Sequence, residues 1–226
     1  MKVDVSAYLV VGRENTNGRP VEGIVSDAVR AGFTVVQIRS KEASARELLE
    51  DVRKSAEAIG RLGKSGSVKL VVDDRLDVAL AAREEGVKVD GIHVGQNDIP
   101  VSVCRKFLGK DAVVGLSAPT KDLISYVSSC DVGDIDYFGA GPVHETATKP
   151  DCGLDESGNV ITRTFAELSA LAKESPIPVV VGGGVKLADI AQLKATGVDG
   201  FFVVSAVAGA KNPYAEAKKL ADAWRA

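Results

Sequence analysis

Eight short apolar runs, most of them rich in valine or isoleucine, recur along the chain and constrain its fold more than any other feature. They are YLVV (8–11), TVVQI (34–38), KLVV (69–72), GIHV (91–94), AVVGL (112–116), IDYFGA (135–140), PVVV (178–181) and GFFVV (200–204). Near-continuous apolar runs of this length are typical of parallel strands that are covered by helices. The chain is therefore predicted to contain eight such strands.

Helical patterns occupy the segments between the runs. Ser44 with Glu47, and Thr164 with Glu167, have the spacing of a capping box at a helix start. Eight strand–helix units predict an α/β fold, a single (β/α)8 TIM barrel that forms one catalytic domain over residues 1–226. A doubly wound open sheet is the alternative, but no G-x-G-x-x-G motif follows the first strand, which favours the barrel.

Composition and charge narrow the class of protein. The 226 residues are 45% hydrophobic, which is enough for one large core, and the net charge of −3 is spread without a basic block, which argues against a nucleic-acid partner. Asp4 interrupts the first apolar residues, so neither a signal peptide nor a membrane span is expected. The three cysteines are widely spaced, as in a reduced cytoplasmic protein.

A TIM barrel carries its chemistry just after the carboxyl ends of its strands. After the second predicted strand, Gln37 and Arg39 alternate with Ile38 and so point to one side, and Lys41 follows at the mouth. Two cations beside a glutamine suit a polyanion. An internal salt bridge with an acid from another strand is the alternative interpretation.

Acidic residues follow the third and fourth predicted strands. Asp73 and Asp74 are adjacent before a helix, and Asp98 precedes the next one. An aspartate is a common helix N-cap, but one cap explains only one of the first pair. Carboxylates completed by phosphate oxygens are the ligands that Mg²⁺ prefers. Asp74 and Asp98 are therefore predicted to bind Mg²⁺.

The last two strands predict a phosphate site. A glycine triplet (182–184) follows the seventh strand and Ser205 follows the eighth. Glycines let backbone N–H groups approach a phosphate, and TIM barrels frequently bind phosphate between these two loops. Gly183, Gly184 and Ser205 are the predicted ligands.

The loop after the sixth strand, GPVHETATKPD (141–151), is unusually rich in hydrogen-bonding groups. Thr146 and Thr148 can donate to an anion and Lys149 can neutralise it. His144 is expected to contact substrate in this loop without a defined role.

Three further residues have weaker signals. Ser117 ends the fifth strand, and Thr120 is predicted to cap the following helix. His93 lies within the fourth strand and is predicted to be a hydrogen-bonded interior residue rather than a catalyst. Because the chain has only two histidines, a histidine-built zinc site is not expected.

In this order the motifs resemble the thiamine-phosphate synthase family. The resemblance spans nearly the whole chain, and GIHVGQ-x-D-x-P and GP-x(3)-T-x-TK are its specific motifs. The matching segments are QIRSK (37–41), DDRLDVAL (73–80), DGIHVGQNDIP (90–100), GLSA (115–118), DYFGAGPVHETATK (136–149), PVVVGGG (178–184) and GVDGFFVVSA (197–206).

The resemblance implies a TIM-barrel transferase that joins a hydroxymethylpyrimidine diphosphate to a thiazole phosphate, with Mg²⁺ as cofactor. The products are thiamine phosphate and diphosphate. The residues implied for the pyrimidine diphosphate are Gln37, Arg39, Lys41, Ser117 and Lys149, all but Gln37 also predicted as catalytic. Those implied for the thiazole phosphate are Thr146, Thr148, Gly184 and Ser205, with backbone contacts from Val204, and Asp74 and Asp98 are implied for Mg²⁺.

The implied reaction needs no protein nucleophile. The aminopyrimidine stabilises positive charge on its methylene, so the C–O bond can break largely before the thiazole nitrogen attacks. Neutralisation of the departing diphosphate is then the main catalytic requirement. The absence of a Ser-His or Cys-His pair among the motifs agrees with this.

One departure from the family concerns Asp73, which is counted here among the substrate-binding residues. The family usually has asparagine at this position, and an extra negative charge would repel a diphosphate unless a cation compensates.

Two other functions are left open. A tautomerase-like relative would isomerise the thiazole phosphate, but such relatives tend to lack the GQ-x-D and T-x-TK motifs and use a histidine near Pro119. A non-catalytic phosphate-binding barrel is supported only by Asp73 and by altered loops. The sequence is also compatible with a homo-oligomer and with a module of a larger multifunctional chain.

Overall fold

Eight parallel strands close into one barrel in the computed structural model, which describes residues 3–146 and 159–226. Each strand pairs with the next one along the chain, and the last pairs with the first. The predicted TIM barrel is therefore confirmed. The strands are β1 (Ala7–Val11), β2 (Val35–Ile38), β3 (Lys69–Asp73), β4 (Gly91–Val94), β5 (Val113–Ser117), β6 (Tyr137–Ala140), β7 (Val179–Val181) and β8 (Gly200–Val203).

Helices follow the strands and surround the barrel. They are α1 (Val21–Ala31), α2 (Ala45–Arg61), α3 (Leu76–Glu84), α4 (Val101–Leu108), α5 (Leu123–Ser129), α6 (Phe165–Glu174), α7 (Ile190–Ala195), α8 (Ser205–Ala208) and α9 (Pro213–Arg225). Short 3₁₀ turns lie at Arg13–Asn15 and Leu187–Asp189. None of the helices in these two described ranges is long and apolar enough to cross a membrane.

Local capping signals position two of the helices as predicted. Ser44 and Glu47 form a reciprocal capping box at the start of α2, and Thr164 and Glu167 form another at the start of α6. The predicted cap by Thr120 is wrong. Helix α5 starts after Asp122, whose left-handed backbone (φ 54°) sets the chain direction there, and no side chain caps that helix.

The core is divided into two layers by the wall of the barrel. The larger layer lies between the strands and the helices, where Phe201 of β8 packs against Trp224 of α9 with ring centroids 5.5 Å apart. The smaller layer fills the barrel interior with valines and with the rings of Tyr8 and Tyr137. Because side chains alternate along a strand, each strand supplies both layers. The packed interior opens into a cavity at the carboxyl end of the strands.

Candidate active site

A cavity of about 770 Å³ opens where the carboxyl ends of the strands meet. Its volume lies in the range of small-molecule sites. Nine of the residues predicted from the sequence line it: Gln37, Arg39, Asp73, Ser117, Thr146, Gly183, Gly184, Val204 and Ser205. Thr148 and Lys149 lie outside the described residues, so their role stays a prediction.

Asp73 is the buried centre of a polar cluster on one side of the cavity. Its Oδ2 lies 3.2 Å from the Nε of Arg39, and its Oδ1 accepts a short hydrogen bond from the Nε2 of Gln37. Burial raises the pKa of Asp73 to about 7 and the adjacent Asp74 adds to the rise, while Arg39 and Lys41 oppose it. The structure therefore contains the internal salt bridge that was the alternative interpretation of Arg39. Arg39 and Lys41 are the cations that offset the extra negative charge of Asp73.

Lys41, Asp74 and Asp98 form a second cluster at the rim beside Asp73. Lys41 makes an ion pair with Asp74, whose carboxyl also contacts that of Asp98. Burial acts to raise the pKa of Asp74, but the partners Lys41 and Asp98 outweigh it and hold the pKa below its usual value. Burial and the contact with Asp74 raise the pKa of Asp98.

Neither aspartate of this rim cluster caps a helix. The residue before α3 is Arg75 and the residue before α4 is Pro100, and neither helix has a side-chain cap. Asp98 instead accepts a hydrogen bond of 2.8 Å from the backbone N–H of Gly95, which closes the loop after β4. The capping interpretation of Asp98 is therefore not what the structure shows.

The rim cluster fits a magnesium ion that is completed by substrate. Two carboxylates in mutual contact repel each other unless a proton or a cation lies between them. Magnesium usually binds to one or two carboxylates plus phosphate oxygens rather than to an all-protein cage. Within residues 3–146 and 159–226, no group of three or more His, Cys, Asp or Glu side chains could form such a cage. The donors present thus suit Mg²⁺ bound together with a diphosphate.

The glycine triplet lies on the opposite side of the same cavity. Gly183 and Gly184 have φ angles of +83° and +71°, which favour glycine. A Cβ at Gly183 would lie 2.5 Å from the Cβ of Pro142, so the loop after β6 packs directly against the triplet. The close packing leaves backbone groups of the triplet at the cavity wall.

His144 connects the loop after β6 to the turn after β7. Its Nε2 lies 2.9 Å from Oδ2 of Asp189, which also accepts from the backbone N–H of Lys186 at 2.8 Å. His144 and Lys186 both line the cavity. A contact role for His144 was expected from the sequence, whereas Asp189 and Lys186 were not identified there. Lys186 closely follows the glycine triplet in the sequence, and this position could have indicated that it lines the cavity.

The floor of the cavity is a connected set of polar side chains. The hydroxyl of Tyr8 lies 3.0 Å from Oε1 of Gln37 and 2.8 Å from the hydroxyl of Tyr137. His93 contacts Tyr137 through Nδ1 at 3.0 Å and Ser117 through Nε2 at 2.9 Å. His93 is thus the hydrogen-bonded interior residue that was predicted. The two tyrosines were missed, since nothing in a single apolar run shows that their hydroxyls meet.

Comparison with known proteins identifies the family. A family model described as thiamine monophosphate synthase matches residues 7–207. The chain is 36% identical over 225 residues to the thiamine-phosphate synthase of Syntrophomonas wolfei, covering 98% of this chain and 97% of that protein. It is 36% identical over 215 residues to the thiamine-phosphate synthase of Moorella thermoacetica, covering 95% and 93%.

A solved structure agrees with the sequence comparison. The thiamine phosphate pyrophosphorylase from Pyrococcus furiosus superposes with a TM-score of 0.79 at 26% identity, covering 99% of this chain and 96% of that one. Family model, sequence relatives and structure therefore agree over nearly the full length. The chain belongs to the thiamine monophosphate synthase family.

Proposed function

We propose that this chain is a thiamine-phosphate synthase. It would join 4-amino-2-methyl-5-hydroxymethylpyrimidine diphosphate to 4-methyl-5-hydroxyethylthiazole phosphate and release diphosphate. Its family membership and the names of its relatives support this transferase activity. The small-molecule substrates suit a cavity of about 770 Å³.

The observation that carries the proposal is that cationic side chains and a glycine triplet lie on two sides of one cavity. Arg39 and Asp73 line one side, and the glycine triplet with Ser205 lines the other. Lys41, Asp74 and Asp98 are not part of the cavity lining but lie next to it, with Lys41 Nζ 3.9 Å from Oδ2 of Asp73. The first side suits a diphosphate with its metal ion, and the second suits a monophosphate. A thiazole phosphate isomerase would need only the second side.

Asp74 and Asp98 would hold Mg²⁺ on the diphosphate side. When bound there, the ion supplies positive charge to the diphosphate oxygens. Lys41 pairs with Asp74 at the same rim and would contact the same diphosphate oxygens.

The protein's own groups would act by charge and position. Asp73 orients the guanidinium of Arg39, and Glu14 fixes the start of the Lys41 segment by accepting from its backbone N–H at 2.9 Å. Both cations would stabilise the charge that develops on the leaving diphosphate. Binding both substrates in one cavity would hold the thiazole nitrogen near the methylene carbon without a protein nucleophile.

We also propose that the chain works in the cytoplasm. Cys104 and Cys130 are both free thiols in the described part of the chain, which agrees with a reducing compartment.

The decisive experiment measures thiamine phosphate formed from both substrates with Mg²⁺. Arg39→Gln should abolish most of the turnover, while Arg61→Gln, on an exposed part of α2, should behave like the parent protein. Tight binding of both substrates without product would favour a non-catalytic barrel. Isomerisation of the thiazole phosphate without the pyrimidine would favour the tautomerase.

A further inference from the structure

Lys186 is an unpaired cation on the glycine-triplet side of the cavity. Among the described lining residues, Arg39 and Lys186 are the only arginine or lysine side chains. The Nε of Arg39 lies 3.2 Å from Oδ2 of Asp73, so its charge is already paired. Within the described ranges, no ion pair joins the ammonium group of Lys186 to a carboxylate. An anion on the triplet side would therefore meet this lysine.

The acid closest to Lys186 in the sequence is engaged with other partners. Asp189 follows three residues later, and its Oδ2 accepts from the backbone N–H of Lys186 at 2.8 Å. The same oxygen lies 2.9 Å from the Nε2 of His144, and the side chain of Asp189 is only 14% exposed. The carboxylate therefore fixes the backbone of Lys186 without pairing with its ammonium group, which stays available for a ligand.

Backbone donors lie beside this lysine. The carbonyl oxygen of Gly183 accepts from the backbone N–H groups of Val143 and His144, each at 3.0 Å. In the part of the chain that the structure describes, the N–H groups of Gly183 and Gly184 have no acceptor. Two free N–H groups and one unpaired ammonium group are complementary to a phosphate, whose oxygens accept.

The charge on this side of the cavity also requires a cation. Glu145 lines it, and its carbonyl oxygen would lie 3.3 Å from a Cβ at Gly184. A phosphate dianion bound at the triplet would be repelled by that carboxylate. Lys186 is the described lining residue that offsets this charge.

We propose that Lys186 is a further binding residue for the phosphate of the thiazole substrate, and that Asp189 positions it. The inference rests on the proposed function and deepens it, because it assigns selection of the phosphorylated thiazole to this lysine. Asp189 is a positioning residue, since it acts through the backbone of Lys186.

The first test compares the steady-state kinetics of Lys186→Gln with those of the parent protein. Loss of one charge-assisted contact should raise the KM for the thiazole phosphate about ten- to a hundredfold, with the KM for the pyrimidine diphosphate unchanged. Lys186→Arg keeps the charge and should restore most of the affinity. The matched control is Lys194→Gln on the exposed surface of α7, which should alter neither KM.

Ionic strength gives an independent readout of the same contact. Because Lys186 is exposed, the difference between the parent and Lys186→Gln should shrink as salt is added. An unchanged thiazole phosphate KM in Lys186→Gln, or equal increases in the KM of both substrates, would overturn the inference.

The second test separates positioning from charge at Asp189. Asp189→Ala removes a negative charge near the phosphate, which on its own would favour the anion. It also removes the acceptor for the backbone N–H of Lys186, so the thiazole phosphate KM should rise about three- to tenfold, as for one lost hydrogen bond. Asp189→Asn keeps an acceptor and should restore affinity close to that of the parent. Affinity in Asp189→Ala equal to or tighter than in the parent would refute the positioning role.

Calorimetric binding of thiazole phosphate distinguishes these outcomes from failure of the proposed function. If no thiamine phosphate forms, the proposed function fails, and weaker binding by Lys186→Gln than by Lys194→Gln would still support the inference. Equal binding by these two variants would overturn it. A parent protein that neither turns over nor binds thiazole phosphate would overturn both proposals.

Discussion

Replacing Gly115 by alanine tests the packing of the cavity floor. Gly115 lies in β5 beneath the contact between Tyr137 and His93. A Cβ at this position would lie 2.2 Å from Cζ of Tyr137 and 2.6 Å from Nδ1 of His93. One methyl group would therefore separate the two side chains.

The expected cost follows from two effects. Forcing an extra carbon into a packed interior costs about 1–3 kcal/mol. Losing the buried hydrogen bond between Tyr137 and His93 costs about 1–3 kcal/mol more. Gly115→Ala should therefore lower the free energy of unfolding by about 2–6 kcal/mol. At about 2–4 °C per kcal/mol for a chain of this size, the melting temperature should fall by roughly 4–24 °C.

The assay is urea unfolding followed by the fluorescence of Trp224, the single tryptophan of the chain. The control is Gly23→Ala on the exposed face of α1, where an added Cβ has nothing within 4 Å. That substitution should stabilise the protein by about 0.5–1 kcal/mol, because glycine is unfavourable in a helix. Midpoints that shift equally in both variants, or a Gly115→Ala protein as stable as the parent, would refute the packing argument.

Three further predictions concern the site. Lys149→Ala should lower kcat by about a hundredfold or more through lost charge stabilisation, with an unchanged melting curve; steady-state kinetics that match the parent would exclude this role. Asp98→Asn should raise the Mg²⁺ concentration needed for half-maximal activity by about tenfold, whereas an unaltered Mg²⁺ titration would leave Asp98 as a loop-closing residue only. Gly183→Ala should lower the free energy of unfolding by about 1–2 kcal/mol through backbone strain, and the added Cβ would also clash with Pro142. The variant should bind thiazole phosphate more weakly in calorimetry, and wild-type affinity would argue against a phosphate contact at this position.

The barrel could be predicted because its signals are local. Each strand is a short run of apolar, largely β-branched residues, and the capping boxes of Ser44 and Thr164 reach only three residues along the chain. A barrel also brings every strand end to one rim. Arg39 and Ser117 therefore line one cavity although they are far apart in sequence.

The pairing of side chains across that rim could not be predicted. The contact of Tyr8 with Tyr137 joins residues 129 positions apart, and that of His144 with Asp189 joins residues 45 apart. Such pairs depend on strand register, which a single sequence does not reveal. The mistaken cap at Thr120 has a similar origin, since the left-handed backbone of Asp122 has no signature in residue type alone.

The pairing of β8 with β1 has a consequence for how this protein can vary. With Ala7 opposite Phe201 in the register, the last strand meets the first and the sheet has no unpaired strand border. A strand from another molecule therefore finds no row of open backbone groups to extend. Loops at the rim can change in length or composition over evolution without exposing an aggregation-prone edge strand. The chemistry at the rim can therefore diversify while the barrel stays closed.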